Sequence, residues 1–83
     1  MNNIARTQAQ LGNALRSYRK QHHLTQAELG AHINKRQATI SNLESAGGGT
    51  TLETLFAVLN ALELELVVQP RKRDVTVRIG DLF

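Results

Sequence analysis

The stretch TQAELGAHINKRQATISNLE, Thr25 to Glu44, decides the fold. Thr25 followed three residues later by Glu28 is a capping-box pattern: the threonine hydroxyl and the glutamate carboxylate each take up a free backbone N–H at a helix start. A helix therefore begins at about Gln26. Leu29 and Ile33 fall four apart on one face of it, and Ala27 and Gly30 are small enough to let another helix come close. Asn34 tolerates left-handed backbone geometry, so Ile33-Asn34-Lys35 can reverse the chain within about three or four residues before a second helix starts near Arg36. On that second helix Ile40 and Leu43 are the inward apolar pair, while Arg36, Gln37, Ala38, Ser41 and Asn42 share the other face. Two short helices joined by so tight a turn have the shape of a helix-turn-helix.

The polar face of the second helix carries donors, acceptors and one methyl, with no acid until Glu44. Such a face suits base edges in the major groove, where Gln bonds adenine bidentately, Arg bonds guanine and Ala touches a thymine methyl. A short polar helix face is more often simply solvated, so the charge distribution matters. Residues 1–45 carry six bases against two acids, a balance of +4; residues 46–69 carry three acids and no base, −3; residues 70–83 carry four bases against two acids, +2. The half that holds the helix pair is the basic half, as attraction to phosphates requires.

Working outward, Thr7 with Gln10 opens a first helix over about Thr7 to Gln21, whose apolar stripe is Leu11, Leu15 and Tyr18, aided by Ile4 and Ala14. The triplet Gly47-Gly48-Gly49 lacks the Lys-Ser/Thr of a phosphate-binding loop and is read as a flexible connection. Thr50 with Glu53 reads as a further capping box for a helix over about Thr51 to Leu62. Leu52, Leu55, Phe56, Leu59 and Leu62 form its hydrophobic platform. After Leu62 the period changes to two: Glu63-Leu64-Glu65-Leu66-Val67-Val68-Gln69 alternates until Pro70 stops it, which predicts a strand. A lone strand needs a partner. Val75 to Ile79 could return as a second strand in a hairpin, a pairing that can coexist in one small sheet with the same strand of a second subunit.

At 83 residues the chain makes one small domain, which buries only about 60–65% of its unfolded surface. It has no cysteine, hence no disulfide or thiolate site, and oligomerisation is the remaining route to stability. No apolar run approaches a membrane span and the amino terminus lacks a signal-peptide core, so a cytoplasmic protein is expected. His22, His23 and His32 are not joined by matched carboxylates, so no metal or other cofactor is expected. No catalytic motif is present, and the expectation is a non-enzyme.

The string LTQAELG, Gln37 placed eleven residues after Gln26, and the ATISNLE run together resemble the Cro/C1-type (XRE) helix-turn-helix repressors over roughly Leu11 to Leu62. RQATISNLE followed by a loop, TTLETLFAVLNALELEL and a short extended end is similar to the HipB-type antitoxins. That resemblance implies a mainly α fold: a four-helix domain over residues 1–69 with a dimerising strand at 63–69, then a tail at 70–83. It favours pairing of that strand between subunits through Leu64, Leu66, Val67 and Val68. It also implies a homodimer that binds an inverted-repeat operator in double-stranded DNA, represses its own operon and binds a HipA-type serine/threonine kinase toxin. By matching position, Gln26 contacts phosphate, with Thr25 adding its backbone N–H. Arg36, Gln37, Ala38 and Ser41 read bases, and Lys35, Thr39 and Asn42 mix phosphate and base contacts. Arg19 pairs with Glu44, tying the first helix to the recognition helix. Lys35 departs from the pattern, since the family often has an inward apolar residue there. Two other readings stay open on sequence: a stand-alone repressor without a toxin, and a protein-interaction module on the same fold.

Overall fold

The computed structural model describes residues 3–71, in which four helices follow in order: α1 Gln8–Gln21, α2 Gln26–His32, α3 Gln37–Glu44 and α4 Leu52–Ala61. Local chemistry explains where three of them start. Thr7 Oγ1 accepts from the Gln10 N–H at 3.1 Å, although the Gln10 side chain reaches back to the Arg6 N–H, at 2.6 Å, rather than to Thr7 itself. At α2 the capping box is complete, with Glu28 N–H to Thr25 Oγ1 at 3.0 Å and Thr25 N–H to Glu28 Oε1 at 2.9 Å. The α3 start differs: Arg36 is its N-cap and supplies no side-chain acceptor.

The α4 start corrects the sequence reading by one residue. Thr51, not Thr50, is the cap; its hydroxyl accepts from the Thr54 N–H and donates to Thr54 Oγ1, both at 3.1 Å. Adjacent threonines made the register ambiguous, and the buried Thr54 replaces Glu53 as the partner. The platform is also rotated. Leu55, Val58, Leu59 and Leu62 face the core, whereas Leu52 and Phe56 stay exposed, because the apolar stripe of α4 is wider than the neighbouring helices can cover.

All four helices end in one way. The residue after each C-cap is left-handed, at His23 (φ 57), Asn34 (φ 61), Ala46 (φ 63) and Glu63 (φ 59). The next N–H then bonds back to a carbonyl in the last turn: Leu24 to Arg19 at 3.2 Å, Lys35 to Gly30 at 2.8 Å, Gly47 to Asn42 at 2.9 Å and Leu64 to Leu59 at 2.8 Å. This is the Schellman arrangement, usually built on glycine. Asn34 tolerates this geometry, while at His23, Ala46 and Glu63 it costs about 1–2 kcal/mol, offset by the two backbone bonds that each cap makes.

The core is a contiguous cluster of Leu15, Leu29, Ile40, Val58, Leu59 and Leu62, one or more from each helix and its cap. Two glycines let the backbone close around it. A Cβ on Gly12 would collide with the Glu44 carbonyl, so α1 lies directly against the end of α3. A Cβ on Gly30 would stand 2.7 Å from the Lys35 carbonyl, so the turn between α2 and α3 folds onto α2 itself. Lys35 is exposed and the turn closes through its backbone, so no inward apolar side chain is needed there.

The strand expected at 63–69 is not found. Glu63 is the left-handed residue ending α4, Leu64 folds back half-buried on the core, and residues 65–71 belong to no ladder among the described residues. Alternation of acid and apolar residues marks a segment able to pair, but a strand exists only with a hydrogen-bonding partner. The second strand expected at 75–79 lies outside the described residues.

Candidate nucleic-acid interface

The interface is built from the inside outward on one chain of hydrogen bonds. Arg19, on α1, and Glu44, at the end of α3, are each only 7% exposed. Arg19 Nε donates to Glu44 Oε2 at 2.6 Å and Nη2 to Oε1 at 3.0 Å, a bidentate pair, while Nη1 donates to the Leu24 carbonyl at 2.8 Å. The hydrogen bond to Glu44 raises the Arg19 pKa, burial opposes this, and the charge of Glu44 adds to the rise. The expected tie between the first helix and the recognition helix is therefore in place, and it is buried.

From Glu44 the chain runs toward solvent. Gln26 Nε2 donates to Glu44 Oε1 at 3.1 Å, and Gln37 Nε2 donates to Gln26 Oε1 at 3.3 Å. The carboxylate dictates every orientation in this relay. Glu44 only accepts, so Gln26 must turn its NH2 inward and its oxygen outward; Gln37 must then offer an N–H to that oxygen. This leaves Gln37 with one N–H and its carbonyl oxygen free at the surface, the donor–acceptor pair that an adenine edge accepts bidentately. Gln26, expected only as a phosphate contact, is thus also the residue that fixes the amide of Gln37. The signal was present as the spacing Arg19, Gln26, Gln37, Glu44, but the numbers alone did not show a continuous relay.

The remaining expected residues divide. Arg36, Gln37, Ala38 and Ser41 are exposed on one side of α3, with Lys35 exposed beside them, and Thr39 is half-buried. Asn42 is drawn elsewhere: its Nδ2 donates to the Gly48 carbonyl at 2.8 Å and lies 3.4 Å from that of Gly47, so its amide holds the loop after α3. Thr25 is exposed as the cap of α2. No buried side-chain nitrogen or oxygen among the described residues lacks a partner. Among these residues no group of three His, Cys, Asp or Glu could hold a metal ion, and no helix is long and apolar enough to cross a membrane.

A separate open groove of about 820 Å³, with no residue of α2 or α3 in its lining, is walled by the segment after α4 and the segment before α1. Leu66, Val67, Val68 and Ile4 are exposed along it, and Leu11 and Tyr18 form part of its floor.

A family model described as Helix-turn-helix (HTH_3) matches residues 15–69, a span that holds the whole relay. Antitoxin HipB of Escherichia coli (strain K12) is 46% identical over 59 residues, which are 71% of this chain and 67% of that protein. The chain belongs to the helix-turn-helix family of HipB-type antitoxins. The same backbone recurs in a HipB–O2 20mer complex, with a TM-score of 0.79 and 40% identity over 87% of this chain and 100% of the other. It recurs again in a HipA–HipB–O2–O3 complex, at a TM-score of 0.75 with the same identity and the same coverage of both chains. The family is one of non-enzymatic regulators.

Proposed function

We propose that this chain is a sequence-specific DNA-binding repressor, the antitoxin of a HipA-type serine/threonine kinase, and that it regulates its own operon in the cytoplasm. The observation that carries this reading is the Arg19–Glu44–Gln26–Gln37 relay. It aims an ordered amide, beside Arg36, Ala38 and Ser41, from the exposed face of α3. Kinship to HipB, whose structures include an O2 20mer complex and a HipA–HipB–O2–O3 complex, supports this choice of partners.

In this mechanism the α2–α3 unit docks as a rigid piece, because the buried pair locks α3 to α1. Gln37 reads adenine, Arg36 bonds guanine or phosphate, and Ala38 meets a thymine methyl. Ser41 bonds a base edge; Lys35 and Thr39 approach the backbone, and Asn42 acts mainly by holding the loop. Gln26 faces phosphate at the start of α2, whereas the Thr25 N–H is committed to the Glu28 carboxylate, so Thr25 acts there as the helix cap. A two-fold dimer sets two such helices in successive major grooves about 34 Å apart, which suits an inverted repeat. We assign dimerisation to the segment carrying Leu64, Leu66, Val67 and Val68, where an intersubunit strand at 63–69 would cover the groove.

The test is binding of the purified chain to its own upstream DNA across a salt series, beside a scrambled duplex of equal length. A preference of roughly a thousandfold or more with steep salt dependence is expected. Equal weak binding to both duplexes would refute operator recognition. Co-purification with the product of a neighbouring kinase gene tests the antitoxin role, and a solitary gene would remove it.

A further inference from the structure

A second polar feature borders the relay. Gly12, Arg16 and Arg19 follow one stripe of α1 at four- and three-residue spacing. The first presses on the Glu44 carbonyl and the third bonds its carboxylate. Arg16, between them, does neither: it is exposed and its side chain makes no hydrogen bond or ion pair with any described residue. It stands instead at the edge of a polar recess of about 440 Å³ shared with Asn13, Gln26 and Ser41, over the Arg19–Glu44 pair.

We propose that this recess clasps one backbone phosphate of the operator in each protomer, with Arg16 as the charged contact. The inference rests on the operator reading above and extends it to a residue of α1, outside the helix-turn-helix. Three observations converge. The charge in the recess is +1 from Arg16, +1 from Arg19 and −1 from Glu44, a net of +1 that matches a single phosphodiester. Glu44 is not available to Arg16, because Arg19 occupies both its oxygens and Gln26 one of them. Ser41 belongs at once to this recess and to the face that reads bases, and Gln26 joins the recess to the amide of Gln37, so a duplex lying along α3 passes its opening. Asn13 and Ser41 add neutral donors beside the guanidinium, and guanidinium with amide and hydroxyl is a suitable set for phosphate oxygens. An acidic protein surface would also be attracted to Arg16, but it would have no reason to sit against the relay.

The experiment measures the salt dependence of binding of the full chain to its upstream duplex, for wild type, Arg16→Ala, Arg16→Lys and the control Lys20→Ala. Lys20 is an exposed cation one turn further along α1 that does not line the recess. Arg16→Ala should flatten the log–log slope by about 0.9 per protomer and weaken native and scrambled duplexes by one common factor. Arg16→Lys should keep the slope, and Lys20→Ala should change it far less. Single methylphosphonate substitutions along the duplex should reveal one linkage per half-site whose neutralisation weakens wild type but not Arg16→Ala. Equal slopes for Arg16→Ala and wild type would overturn the proposal, as would an equal effect of Lys20→Ala. An unchanged slope with weaker capture of the co-expressed kinase would overturn it in favour of an acidic protein surface. If wild type shows no preference for its own DNA, the operator reading fails while the slope comparison still decides the recess, because a phosphate contact needs no sequence.

Discussion

The two sides of this molecule are finished to different degrees. Toward α3 the buried polar groups are all paired: a buried ion pair orients one glutamine, which orients another. Toward the segment after α4 the surface is apolar and open, with Leu66 and Val67 half or more exposed and Val68 almost fully so. The first side is complete in a single protomer. The second is complete only when something covers it, and for a chain of 83 residues a second copy is the most economical cover. Rigidity on the reading side and incompleteness on the other are therefore complementary, since a dimer fixes the spacing at which two rigid faces meet DNA.

Breaking the finished side should have the largest effect. Glu44→Ala leaves the Arg19 guanidinium buried without its carboxylate, and a loss of about 3–5 kcal/mol in urea-unfolding free energy is expected. A loss below about 1 kcal/mol would mean that the pair behaves as a surface pair. Replacing both partners with apolar residues of similar size, Arg19→Met with Glu44→Leu, should recover most of the stability. It should not recover operator preference, because Gln26 then has no carboxylate to orient it. That separation distinguishes a relay that positions Gln37 from one that only holds helices together.

The unfinished side comes next. Leu66→Ala should weaken self-association by about 1.5–3 kcal/mol for each copy, read by sedimentation at graded concentration. The protomer fold should persist, since Leu66 lies outside the core. Unchanged association would place the dimer interface elsewhere, with exposed Leu52 and Phe56 of α4 as the next surface to test. At the reading face, Gln37→Ala should cost about 1–3 kcal/mol on the native operator and relax preference at one base pair of each half-site. Equal loss at every base position in a substitution scan would make Gln37 a backbone contact instead.

The contrast also governs what the sequence could tell. On the finished side the information is local or sits at fixed spacings: the Thr25–Glu28 box, the left-handed Asn34, and the pairing of Arg19 with Glu44 were all legible, and all stand in the structure. What was missed there depends on where amides and short side chains end up, such as the loop held by Asn42 and the place of Gln26 between Glu44 and Gln37. On the other side the pattern at 63–69 described a capacity to pair, which one chain cannot realise. The helix ends were hidden for a different reason. Sequence rules look for glycine after the last turn, but here His23, Ala46 and Glu63 take that geometry, and the glycine run begins one residue late. Ala46→Gly should therefore stabilise the fold by roughly 0.5 kcal/mol, the relief of left-handed strain less the added freedom of the unfolded chain.

The smallest expected effect tests whether the reading side is also preorganised at the start of α2. The Thr25 N–H, and after it the Thr25 hydroxyl, hold the Glu28 carboxyl below its ordinary pKa. A carboxyl whose pKa is lower in the folded state contributes stability above its unfolded value, about 4.3, and loses that contribution as the pH falls through the folded value. Glu28→Gln should therefore reduce the acid sensitivity of the melting temperature below about pH 4.3 and leave the neutral-pH operator affinity nearly unchanged. Arg19 acts in the opposite sense: its pKa is raised, so its contribution holds throughout that range and vanishes only at extreme alkaline pH. Acid should then loosen the cap of α2 before it disturbs the guanidinium side of the buried pair. If Glu28→Gln instead lowers operator affinity at neutral pH, the cap also positions Gln26 at the start of α2, and Glu28 contributes to operator binding as well as to stability.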